Sequence, residues 1–144
     1  MKKLFTYMVL AAVPFCASAA NDKCAPNLTK QDMCIFAKKL ADEFQKELPI
    51  KVSDNILLTE VKTENTRVII TGAMKVTSYQ FERNLNNNHT NIDKVKDILR
   101  SNAKESVCLN KQLTSFINLG GVIQYEYVFS DGKLLDVTAV TSCK

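Results

Sequence analysis

A single histidine, His89, is all the imidazole in this 144-residue chain, and it stands in the polar run Asn86-Asn87-Asn88-His89-Thr90-Asn91. A Ser-His or Cys-His nucleophile would have to use it, and a catalytic base must be held by a third group. The run offers no such group, so His89 reads as a solvated loop residue. There is no Cys-x2-4-Cys or His-x3-5-His pair to hold zinc and no Cys-x-x-Cys for redox exchange. No glycine-rich phosphate loop is present. The expectation is therefore no metal, no cofactor and no catalytic constellation.

Charge of one sign is also scarce. The formal net charge is +4, and it becomes +2 once Lys2 and Lys3 are set aside. Nucleic acid and anionic membrane surfaces call for a clustered basic patch, which is missing. Beyond residue 20 no apolar run is long enough to span a bilayer.

What is present begins with "MKKLFTYMVLAAVPFCASAA". Two lysines, a short apolar core broken by Pro14, and Ala17-Ser18-Ala19 have the order of a cleaved secretory leader over residues 1–19. A lipid anchor is not expected, since bulky Phe15 precedes Cys16 and Lys23 precedes Cys24. The remainder, 20–144, has the size of one domain, destined for the periplasm or for secretion.

With Cys16 in the leader, Cys24, Cys34, Cys108 and Cys143 remain. An even number in an exported chain points to disulfides. Of the three pairings, Cys24 with Cys34 and Cys108 with Cys143 is preferred, because each bridge then ties a loose chain end to a helix.

Apolar residues at Met33, Phe36, Ala37, Leu40, Phe44 and Leu48 form a helical stripe within residues 27–48, with Thr29 and Asp32 as a capping pair and Pro49 as the stop. Two strands follow, 56–62 and 67–77, the second with Val68, Ile70, Met74 and Val76 on its buried face. Residues 78–91 read as an exposed loop. Thr90 with Asp93 opens a second helix through Val107, and Leu109 to Ile117 form a short third one ended by Gly120-Gly121. The strands 122–129 and 134–141 then make a hairpin about Asp131-Gly132. The order α-β-β-α-α-β-β predicts an α+β fold, an antiparallel sheet with helices packed on one face and two disulfides.

The last third of the chain, with Cys108, Gly120-Gly121, Tyr125-x-Tyr127, Asp131-Gly132 and Cys143, resembles small exported bacterial proteins of undefined function. The resemblance implies a fold and carries over no catalytic residue.

If Asp131-Gly132 is a two-residue loop, Tyr127 pairs with Asp136, Tyr125 with Thr138 and Ile123 with Val140. Cys143 falls on the opposite face. Bonded to Cys108 at a helix end, it would turn that face toward the helices and leave Tyr125, Tyr127, Asp136 and Thr138 outward, as a partner-facing set. The opposing argument is that aromatic rings are worth burying, while Gln124 and Glu126 make a poor core.

Small size, two bridges and no catalytic constellation indicate a non-enzymatic exported protein that binds another protein, such as an inhibitor, an immunity protein or an accessory of an envelope machine. A small enzyme or ligand-binding protein with a site between sheet and helices is the alternative. Homo-oligomerisation through the sheet is a third reading.

Overall fold

The computed structural model describes residues 22–25 and 32–144. The leader expected at residues 1–19 and the capping residue Thr29 lie outside them. A 3-10 turn, Asp22–Cys24, is followed by helix α1, Met33–Glu47. Asp32 is its cap: its Oδ1 accepts from the amides of Cys34 at 2.9 Å and Ile35 at 3.2 Å, satisfying two of the free donors of the first turn. The stripe buries Met33, Ala37, Leu40 and Ala41. Pro49 cannot continue the helix, which ends at the preceding turn.

Strands β1 (Ile50–Ser53), β2 (Ile56–Glu64) and β3 (Arg67–Met74) form an antiparallel meander. β1 is an addition to the sequence reading, too short and too exposed to show an alternating pattern. Residues 78–91 also depart from the expected loop, because Ser78–Asn87 is helix α2. Its start is a capping box: Thr77 Oγ1 accepts from the Gln80 amide at 3.2 Å, and Gln80 Oε1 accepts from the Thr77 amide at 3.0 Å. His89 follows it in the left-handed region, φ 50°, exposed.

Helix α3, Ile92–Leu109, is capped by Asn91, whose Oδ1 accepts from the Asp93 amide at 2.9 Å. Thr90 was expected in that place. Helix α4, Lys111–Asn118, ends before Gly120, φ 96°, as the glycine pair implied. Gly121 then packs flat on Phe116: a Cβ there would sit 2.4 Å from the ring.

Strands β4 (Val122–Val128) and β5 (Leu134–Val140) complete one sheet of order β1-β2-β3-β4-β5. The sheet is mixed, not antiparallel throughout. The three helices between β3 and β4 return the chain to the start of β3, where the Val122 amide donates to the Thr66 carbonyl at 3.0 Å, so β4 runs parallel to β3. Two hairpins in a sequence do not specify how they join, and a connection with its own helices permits the parallel joint.

The core joins buried residues of α1, α3 and α4 to the sheet face carrying Val68, Ile70, Ile123, Tyr125, Tyr127 and Val140. The helices therefore share one face of the sheet. Phe116, Met33, Leu40, Ile70 and Ile123 are among its most enclosed side chains.

Two disulfides close the ends, Cys24 to Cys34 and Cys108 to Cys143, as preferred from the sequence. Such bonds suit an oxidising compartment. The sequence separations are 10 and 35. Loop-closure entropy then makes the second bridge worth about 4 kcal/mol and the first about 3. Urea unfolding of C108A/C143A should show the larger loss of stability, and C24A/C34A the smaller; the reverse order would contradict this.

Candidate partner-binding cleft

Tyr125 and Tyr127 point inward. Their rings stack at 6.2 Å between centroids, 11° from parallel, and each is buried to within a few per cent of full enclosure. The expectation of an outward face used the parity of Cys143. β5 ends at Val140, however, and beyond a strand's last paired residue the alternation of faces no longer holds. Asp136 and Thr138 are buried on the same inner face.

The cross-strand partners are those expected, Tyr127 with Asp136, Tyr125 with Thr138 and Ile123 with Val140, but the turn that sets them is different. The Phe129 amide donates to the Lys133 carbonyl at 2.8 Å and the Gly132 amide to the Phe129 carbonyl at 2.9 Å, enclosing a three-residue loop with Gly132 at φ 83°. A bulge between Tyr127 and Val128 then shifts the register back by one. Asp131 fastens the turn to α2, its Oδ2 accepting from Ser78 Oγ at 2.6 Å and from the Ser78 amide at 3.0 Å. Those bonds hold its carboxyl below the usual range, with Lys133 adding a smaller effect.

Asp136 is a charge among core residues, and it is fully occupied. Arg100 of α3 donates from Nε at 3.1 Å and from Nη2 at 2.8 Å, and Thr138 Oγ1 donates at 3.1 Å. A buried carboxylate needs this kind of satisfaction. Asp136 and Thr138 are structural residues that tie β5 to α3. Nothing in the sequence announces the Arg100 partner, 36 positions away.

The tyrosine rings belong to the floor of a cleft of about 350 Å³ between the sheet and the helices. Leu58, Tyr125 and Tyr127 line its base, with Phe44 of α1 and Leu113 of α4. One wall is β1, through Ile50 and Val52, and the other is α3, through Asn102, Ala103 and Ser106. The rim is polar and exposed: Glu47, Lys51, Asn102, Ser106 and Asn110. Val52 at the mouth is 56% exposed, and Ile98, one turn before Asn102 on α3, is 50% exposed. An apolar base with a polar rim is the usual anatomy of a protein-binding surface.

The phenols stay neutral over the ordinary pH range. Burial raises both, and Tyr127 is pushed up to about 12 by burial first and then by the charges of Tyr125 and Asp136. A glycine makes room for the second ring: a Cβ on Gly72 would lie 2.8 Å from Tyr127 Cδ1 and 3.1 Å from Cε1.

Other candidates place differently. Cys24, Asp32 and Cys34 bring ligand atoms within 4.8 Å of one another, but the two sulfurs are bonded together and Asp32 is the cap of α1. No described helix is long and apolar enough to cross a membrane. The polar side of α1, where Lys38, Lys39 and Lys46 stand among Asp42, Glu43 and Glu47, is partly used, since Glu43 accepts from Gln112 of α4 at 2.6 Å and Glu47 stands on the cleft rim. Sequence reading offered a site between sheet and helices as its alternative but could not name the lining, which comes from segments spread from Phe44 to Tyr127. The one local signal was Ile50-x-Val52, apolar residues two apart in an exposed setting.

Two outcomes are expected. Because the folded pKa of Tyr127 lies above its ordinary value of 10.0, the unfolded chain loses this proton first. Its contribution to stability is complete below pH 10 and is lost as the pH rises toward 12. Melting midpoints should fall across that interval, and Tyr127→Phe should flatten the fall; an equally steep fall in the variant would refute the assignment. Gly72→Ala should lower stability by about 1–3 kcal/mol through overpacking on the ring, and an unchanged thermal midpoint would show that the ring moves freely.

No protein-family model matches the sequence, and no curated protein matches it. Solved structures do match in fold. A crystal structure of a candidate secreted protein from Pseudomonas aeruginosa aligns with TM-score 0.62 at 18% identity, over 82% of this chain and 100% of that one. The pilotin EpsS of the Vibrio vulnificus type 2 secretion system aligns with TM-score 0.60 at 16% identity, over 78% of this chain and 92% of that one. The type II secretion pilotin AspS of Vibrio cholerae gives 0.56 and 18%, over 76% and 88%. At these identities the likeness is one of fold: the chain shares its architecture with a candidate secreted protein and with two secretion-system pilotins.

Proposed function

We propose that the chain is an exported, non-enzymatic accessory protein of a bacterial envelope machine, and that it binds a protein partner in the cleft above Tyr125 and Tyr127. The observation that carries this is the near full-length fold match to two type II secretion pilotins. The leader-like first 19 residues and the two disulfides agree with passage into the periplasm or beyond. The cleft supports a protein partner through its apolar base, exposed apolar residues at its mouth and uncharged phenols. Aromatic floors of this kind favour insertion of an apolar side chain.

A second reading is a small-molecule site, favoured by the position of the cleft between sheet and helices. Its volume is at the lower end for such sites, about 300–1,000 Å³, and no ionised group converges on its base.

The test is a photo-crosslinking residue at Val52, at the mouth, with Glu60 on β2 as a control position. Val52 should give one crosslinked envelope protein that Glu60 does not give, and Ser106→Trp, which fills the cleft from an exposed helical position, should abolish it. Equal crosslinking at both positions, or indifference to the tryptophan, would refute the cleft as the contact.

A further inference from the structure

The two edges of the sheet are built differently. β1 is four residues long, carries exposed Lys51, and is bulged between Lys51 and Ser53, which are devices that keep an edge from pairing. β5 is seven residues long, and among the described residues no strand pairs with its outer side. Its exposed side chains, Leu134, Val137 and Ala139, are all uncharged. Its one charge, Asp136, is turned inward and satisfied by Arg100. A long neutral edge is a template for another strand.

α3 runs beside that edge in the same direction as β5. Arg100 grips Asp136, Lys104 Nζ donates to the Lys144 carbonyl at 3.2 Å, and Cys108 is bonded to Cys143. Arg100 and Lys104 face β5 across a groove of about 490 Å³. On this flank Asp93, Asp97, Arg100 and Lys104 recur at steps of four, three and four, so they form one exposed row. In chain order the row reads acid, acid, base, base.

That order is complementary to itself when reversed. Turn a second copy by half a rotation about an axis normal to the sheet: β5 lies antiparallel to its copy, α3 lies antiparallel to its copy, and Asp93 of each chain faces Lys104 of the other, with Asp97 facing Arg100. The centres coincide as well. Val137 is the middle of β5, and Arg100, beside the midpoint of the row and 3.6 Å from Asp97 of its own chain, holds the adjacent Asp136. We infer that β5 and this flank of α3 form a two-fold seam through which two copies join their five-stranded sheets into one.

Sedimentation equilibrium on the disulfide-intact protein tests the seam. The wild type should dimerise, less at high salt. D93K or K104E alone should raise the dissociation constant about tenfold, since attraction becomes repulsion at both symmetry-related places. D93K/K104E should restore it. Both positions are exposed, so the variants should fold, which circular dichroism checks. Ser106→Trp in the cleft should leave the dimer unchanged. A wild type that stays monomeric at hundreds of micromolar overturns the seam, including one that instead takes up an acidic extended peptide. So does a dimer indifferent to the single reversals, or one not restored by the double.

Discussion

A carboxylate cannot be placed on the inner face of a sheet unless something brings donors to it, and Asp136 makes that demand here. Thr138, two residues along the same strand, supplies one donor, and Arg100 supplies two. The second source fixes α3 against β5 at one level, and the Cys108–Cys143 bridge fixes it again at the C-terminal end of both elements. Leaving either charge of a satisfied pair without its partner costs more than the pair contributes, so the constraint acts mainly on geometry. α3 has one place to lie. From that follow the wall of the cleft, the groove beside β5 and the row of charges along it.

The cleft is what remains when helices of limited width cover a sheet of five strands. α1 packs on β2 and β3, and α3 packs on β5. α4 packs on β4 between them, and beside its Leu113 the sheet face is filled from below by two stacked tyrosines. Gly72 lets the Tyr127 ring lie close to β3, which lowers the floor enough to leave space. Their hydroxyls are held neutral by burial, so the base of the cleft carries no charge for a ligand to match. For the partner proposed above, shape and apolar surface would be the means of recognition.

How much of this could be read in the residues depended on whether the signal was local. α1 and the two hairpins were legible because each is coded by a short period. The pairing of Tyr127 with Asp136 was legible by a cancellation: the loop is one residue longer than assumed, and the bulge removes the difference. α2 was hidden because only Phe81 and Leu85 give its otherwise polar run an apolar side, although Thr77 and Gln80 stood at capping-box spacing. The parallel joint of β3 and β4, the Arg100–Asp136 pair and the lining of the cleft were not legible. Each is made by residues dozens of positions apart, and no pattern along a single element contains them. The tyrosine face was left between two arguments: the parity of Cys143 carried a strand's alternation past its last residue, while the worth of burying aromatic rings pointed inward, where the rings lie.

The two surfaces have a joint consequence. The cleft lies on the helical face, bounded by β1 on one side and α3 on the other, while the groove lies at the opposite edge, beside β5. An axis normal to the sheet keeps the helical faces of two copies on the same side. A pair joined at β5 would therefore present two clefts in one direction, flanking the paired α3 helices, with neither mouth closed by the seam. A partner that displays its binding segment in several copies would meet two clefts at once, and the second engagement would proceed at the high effective concentration set by the first. Weak insertion of one apolar side chain into each cleft would then suffice for stable attachment, which relieves a cleft of this modest size of the need to bind tightly alone.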